Sequence, residues 1–288
     1  MLVLGTGLSF AADLPTTLDN VVILAQDSVT LNGRSQLNRG QIVVNNAGGV
    51  LTVRYGVHAL DNTETQIIAD IVTVTARPSR KAELFDVFAN SFLGGDHAIV
   101  DGAVVSPLGA SLPLFPFPSA PVVTPGTDPC PNRTGNGGNC VVRRKDGPVT
   151  LPPGDYGNII AKGQGVLYLQ GGVYNIKSLS VGLSSFIIVN GSATVNVQKD
   201  VSFGAGSTFG PASAINPRCV VLNVAGDHVR VAVASISAVI NAPNATVSLG
   251  VNTKGKGTIY TGNLVGKTVR VGASSTLQTA DPLLSPCP

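Results

Sequence analysis

Two Gly-Asp-His tripeptides, Gly95-Asp96-His97 and Gly226-Asp227-His228, are the residues best suited to proton transfer or metal binding, because an imidazole beside a carboxylate can act as acid, base or ligand. Neighbouring side chains on a strand point to opposite faces, so Asp and His in direct sequence seldom act on one group, and turn residues opening a strand account for both tripeptides. No carboxylate pair suited to glycoside hydrolysis stands out, since Asp155, Asp200 and Asp227 lie 45 and 27 residues apart and share no common interval. Nucleophile elbows, HExxH helices, P-loops and calcium loops are absent from the sequence. The reading therefore nominates no cofactor and no metal, and leans away from an enzyme. Tyr55, Tyr156, Tyr168, Tyr174 and Tyr260 would stack on sugars if exposed, although packing inside the body is the more ordinary fate of a tyrosine.

Four cysteines, Cys130, Cys140, Cys219 and Cys287, form an even set with three possible pairings. Cys130 and Cys140 bracket a Gly/Asn-rich loop that a disulfide would close; Cys219 with Cys287 would then tie the last residues to the body. No CxxC pair accompanies them, so disulfides and an oxidising, extracytoplasmic compartment are expected rather than zinc. Residues 1–12, MLVLGTGLSFAA, resemble the apolar core and cleavage site of a signal peptide without its charged start, or the remnant of a membrane anchor, with a buried first strand as the plainer alternative.

These groups must be carried by β-structure. Of 288 residues only 12% are charged, against about 25% in an ordinary globular chain, and 14 of the 16 acidic residues are Asp rather than the helix-forming Glu. A net charge of +3, with no basic cluster larger than Arg143-Arg144-Lys145, excludes the electrostatic footprint of a nucleic-acid binder. Short apolar runs recur between Gly, Asn, Asp and Ser: Val29-Thr30-Leu31 returns as Leu51-Thr52-Val53 after 22 residues and as Val72-Thr73-Val74 after another 21. In the second half Tyr156 and Tyr174 are 18 apart, each heading a similar segment. A period near 20 with several short strands fits one coil of a parallel β-solenoid, whose inward residues are buried only by stacking on neighbouring coils. An immunoglobulin-like sandwich also has short, regularly spaced strands, but does not explain the period.

The expected fold is thus all-β, a right-handed parallel β-helix over residues 13–288. Residues 76–148 interrupt it. Ser79–Ala89 reads as one short helix, with Ser79 as N-cap and Leu84, Phe85, Val87 and Phe88 as its apolar face, placed on the flank or over an open end. Residues 107–131 hold eight of the 19 prolines and read as an extended strap docked through its Leu and Phe residues. Ice binding by an outward Thr-x-Thr ladder is set aside, because Thr73-Val74-Thr75 occurs once and does not repeat from coil to coil.

The text LPPGDYGNIIAKGQGVLYLQGGVYNIKSLSVG, with IIVNGSATVNV, NAPNATVSLG and GTIYTGNLVGKTVRVG after it, resembles a bacterial family of secreted β-solenoid exoproteins across roughly residues 20–272. The resemblance implies a right-handed parallel β-helix, extracytoplasmic placement at the cell surface or with pili, and a structural or adhesive role. It supplies no catalytic residues. The truncated first segment departs from the family's anchoring region. The function expected is a non-enzymatic structural or adhesive module whose partners are further copies of itself, stacked head to tail into a filament, or surface glycans, with any membrane contact confined to the N-terminal segment. The alternatives are a polysaccharide lyase or hydrolase, with a site in the helix and strap region around Asp96, His97 and Arg143, and a glycan-binding module that uses exposed tyrosines.

Overall fold

The computed structural model describes residues 14, 17–59, 65–128, 130, 139–213, 215–250, 257–281 and 287. Residues 1–12 and the loop between Cys130 and Cys140 therefore lie outside, or almost wholly outside, the described residues. The chain is a parallel β-solenoid of about 11 turns. Each coil gives one segment to each of three sheets. In one representative coil residues 172–176 lie in the first sheet, 179–181 in the second and 186–189 in the third. Alternation along these segments sends Tyr174, Ile176, Leu179, Val181, Ile187 and Val189 inward, all buried, while Asn175, Ser178, Ser180 and Ile188 face outward. Each such aliphatic side chain gains about 1.5–3 kcal/mol by burial, but only because the coils above and below complete its surroundings.

Corners between the second and third sheets share one backbone device. Gln164, Ser184, Arg34 and Ser274 have φ of 64°, 50°, 66° and 60°, and Gly206 and Gly56 occupy the same corner at 68° and 72°. In this left-handed conformation each N–H points along the rod and donates to the next coil: Ser184 to Ala205, Gly206 to Val233, Ser274 to Gly33, Arg34 to Gly56 and Gly56 to Lys81. The corners thus carry their own hydrogen-bonded column beside the sheets.

Coil order along the rod is not chain order. Residues 140–278 stack in sequence, and their last coil docks on the first coil of residues 21–105. Strand Leu264–Val271 pairs in parallel with Val21–Leu31, from Ile23 opposite Leu264 to Leu31 opposite Val271, and Thr276–Gln278 pairs with Gln36–Arg39. All three sheets continue through this joint. Side chains stitch it further: Asn32 Nδ2 donates to the Val271 carbonyl at 2.7 Å, Asn263 Nδ2 to the Val21 carbonyl at 2.6 Å and Arg39 Nε to Thr279 Oγ1 at 3.2 Å.

This order leaves residues 86–105 at one end and 140–151 at the other, so the chain must travel the whole rod between them. The proline-rich strap makes that journey. Beneath it lies one outward column of the first sheet, in register Asp155, Asn175, Asn196, Asn223, Asn241, Val265, Leu24, Val43, Ile68, Phe88, Val105. Its first part is an amide ladder, each Asn Nδ2 donating to the oxygen one coil below at 2.7–3.3 Å. The rest is apolar, and Leu108 and Phe115 of the strap bury against Val21, Leu24, Val43, Ile68, Phe88 and Val265. Asn45 pins the strap by donating to the Phe115 carbonyl at 2.7 Å and accepting from the N–H groups of Leu114 and Phe115 at 2.7 and 3.1 Å. Farther along, Asp128 and Asp155 exchange hydrogen bonds, and the disulfide Cys130–Cys140 closes the path; Cys219–Cys287 forms the other bridge.

The helix expected over Ser79–Ala89 is not formed. That stretch holds strand Ala82–Leu84 and the start of Asp86–Gly94, and completes ordinary coils. A corner at Phe85 resets the inward-outward alternation, so the inward residues Leu84 and Val87 fall three apart and imitate helical spacing. Phe88 faces outward, under the strap. The interruption of the coils accordingly begins after Val105, not at residue 76.

Removing the pin and the plug should release the strap. Asn45→Ala strands the buried Phe115 N–H and the half-buried Leu114 N–H and should cost about 2–4 kcal/mol, and Phe115→Ala about 3–5 kcal/mol. In either variant limited proteolysis should cut first within residues 106–128, while strand amides remain protected from hydrogen exchange. A strap as resistant as the coils would show that these contacts do not hold it.

Candidate functional site

The structure separates the residues nominated from sequence. Asp96 and His97 sit in the turn between Asp86–Gly94 and Ala98–Val100, on an end coil. Asp227 and His228 form a different corner, several coils away, where the His228 N–H donates to Asp200 Oδ1 at 3.2 Å. Arg143 lies on the opposite end coil, so Asp96, His97 and Arg143 make no common site; the non-sequential joint is the reason. No group of three or more metal-ligating side chains occurs among the described residues. The outward threonine column spans Thr30, Thr52 and Thr73 and is bounded in the same register by Arg270 and Leu93.

A different cluster is brought together along the corner between the second and third sheets. Arg34, Arg54, Arg80 and Arg270 line one open cavity of about 660 Å³ that crosses the joint. It meets a second cavity of about 380 Å³ at Ser248, with Arg230 on its wall, and a third of about 450 Å³ at Arg34 and Arg80, with Lys81 beyond. Small residues make the floor: Gly182, Gly204, Ala232, Gly250 and Gly272 line these cavities in turn. At Gly272 the smallness is obligatory, because a Cβ there would collide with the Gly250 carbonyl.

The lattice sets the spacing of the charges. Arg230, Ser248 and Arg270 occupy successive rungs of one outward column, which places the two arginine positions about 10 Å apart along the rod. Tyr55 carries Arg77 and Arg80 over its ring, with guanidinium carbons 4.8 and 5.5 Å from the centroid. None of Arg34, Arg54, Arg80, Arg230 and Arg270 has a carboxylate partner among the described residues, where the ion pairs are Arg39–Asp281, Arg218–Asp19 and His58–Glu83. Among the described residues the one carboxylate lining these cavities is Glu83, held by His58, so positive charge dominates the cleft and draws anions from solution.

His58 and Glu83 are register neighbours on adjacent coils at the edge of this groove, with Nδ1 and Oε2 2.7 Å apart and both side chains 42% exposed. Their separation of 25 residues, one coil, was a readable signal. Arg270 was not, because its neighbourhood with Arg34 depends on the joint.

Three of the five tyrosines are unavailable to ligands. Tyr156, Tyr174 and Tyr260 are buried; Tyr156 donates to the Pro152 carbonyl, and the single hydroxyl hydrogens of Tyr174 and Tyr260 are shared between the carbonyls of Leu151 and Gln170 and between those of Ala238 and Asn263. Burial pushes all three phenols above the ordinary tyrosine range, with smaller contributions from Asp128 at Tyr156 and from Tyr156 at Tyr174. A folded-state value raised above the unfolded one gives stability that is complete below about pH 10 and is lost as pH rises beyond it. Unfolding free energy should therefore fall above about pH 10, more steeply in the native protein than in Tyr260→Phe compared with its own neutral-pH stability. Identical slopes would exclude Tyr260 from the effect.

No protein-family model matches the chain, and no curated protein matches it either. Among solved structures it is similar to a glycosylated ice-binding protein (LeIBP) from an Arctic yeast, at 14% sequence identity and a TM-score of 0.38, over 93% of this chain and 94% of that one.

Proposed function

We propose that the protein is an extracytoplasmic, non-enzymatic β-solenoid with a structural or adhesive role, a rigid rod whose basic corner is the contact surface. The observation that carries this reading is the row of arginines sharing one open groove, none of them with a carboxylate partner among the described residues. Such a surface retains a ligand; the corner's Glu83 is engaged with His58. Two disulfides support an oxidising compartment, and no helix among the described residues is long and apolar enough to cross a membrane. The relationship to secreted, surface-associated β-solenoid exoproteins is part of the same proposal.

Head-to-tail assembly is a second reading, favoured by the charges of the two end coils. One exposes Asp96 and Asp101 beside the half-buried Phe92, Ala98 and Val100, whereas the other carries Arg143, Arg144 and Lys145. Within the molecule the joint already shows one stack docking on another through two parallel strand pairings, the longer of which runs through two sheets.

Incubation with a broad glycan panel and with cell envelopes should give retention without shortening of any glycan chain by size-exclusion chromatography. Shortened chains would make the protein an enzyme, and retention on nothing would end the adhesive reading. Negative-stain electron microscopy should show rods joining end to end as concentration rises, and salt should disperse them. Single rods at every concentration would remove the filament.

A further inference from the structure

We infer that the groove between the second and third sheets is the binding site of an acidic polysaccharide of the polyuronate class, lying along the rod with its carboxylates on Arg230, Arg270, Arg34, Arg54 and Arg80. The inference rests on the adhesive reading and names its ligand.

The site's shape suits a linear polymer. Its cavities join end to end along one corner, are open to solvent, and cross several coils. With coils about 4.8 Å apart, the interval from Arg230 to Arg54 is on the order of 20 Å, longer than any single small anion. Guanidinium forks present paired donors that match planar carboxylates, and a repeating carboxylate would meet them at a repeating interval.

Arg34 sits at the left-handed corner of its coil, a position also held by Gln164, Ser184 and Ser274. This corner position requires left-handed φ, and the equivalent residue in the next coil is Gly56. A Cβ-bearing residue carries some strain at this corner in every coil that lacks glycine there, and what distinguishes Arg34 is where its guanidinium reaches. It reaches both the 660 Å³ and the 450 Å³ cavities.

Nucleic acid is the less suited polyanion. Single strands bind by stacking bases on successive aromatic rings, and of the two aromatic side chains lining these cavities Phe203 is buried in the core and Tyr55 is covered by Arg77 and Arg80.

The test measures binding of the full, disulfide-intact chain to polygalacturonate, its methyl ester, a sulfated glycan, a neutral glucan and single-stranded DNA across a salt series. Polygalacturonate should bind with an affinity that falls steeply with salt, and esterification should abolish it. Arg270→Ala and Arg34→Gly should each weaken binding roughly tenfold. Arg270→Lys should recover only part of the loss, because the charge returns without the fork. Arg34→Gly should leave the melting temperature unchanged or raised, which separates lost contact from lost fold. Equal binding of the methyl ester, tighter binding of the sulfated glycan or DNA, or indifference to both arginine variants would overturn the inference. Retention of the neutral glucan alone would overturn it while leaving the adhesive reading intact; retention of no glycan would remove both.

Discussion

Parallel pairing of Leu264–Val271 with Val21–Leu31 is the contact on which the rest of the structure depends. Without it the chain would be two short solenoids, each with a raw sheet edge where inward Val, Leu and Ile residues lack a neighbour. With it, the three sheets run unbroken and Val29, Val269, Leu31 and Val271 are all fully or almost fully buried. Joining the halves in this order fixes much else. It sends the chain's midpoint from one end of the rod to the other, so a strap of that length becomes necessary. It also brings Arg270 beside Arg34 and so creates the centre of the basic groove.

The strap and its column show how a solenoid chooses what to put on an outer face. Where the strap supplies Leu108 and Phe115, the column is Val265, Leu24, Val43, Ile68 and Phe88. Elsewhere the same register holds asparagines, which satisfy each other from coil to coil. Stacked amides and buried hydrocarbon are two solutions to one requirement, that identical positions on successive coils must be compatible with themselves. Along the groove the solution is different again: arginines alternate with Ser and Thr in one column, so that no two guanidiniums of that column sit on adjacent rungs.

The repeating part of this architecture was legible in the sequence. Runs such as Leu51-Thr52-Val53 and Val72-Thr73-Val74 are adjacent rungs, and the proline-rich stretch is the strap. Coil lengths between 18 and 27 residues along the amide ladder blurred the period but did not hide it. What was hidden falls into two kinds. A corner that shifts the alternation by one residue, as at Phe85, turns a strand pair into something that looks helical, because residue patterns record spacing and not direction. The candidate site was hidden for a topological reason: Arg34, Arg54 and Arg80 belong to neighbouring coils in sequence order, but Arg230 and Arg270 join them only through a pairing that no local pattern encodes.

The joint also sets the order in which the protein can be made. Residues 21–105 leave the ribosome first, yet the edge of their first coil has no partner until residues 264–271 exist, about 240 residues later. A nascent chain must therefore carry an unsatisfied strand edge through most of its synthesis, and its final step is a closure of very high contact order. Folding of this rod is completed from its two chain ends at its middle, and an interrupted translation product would be an open stack with the adhesive edge of a β-sheet still exposed.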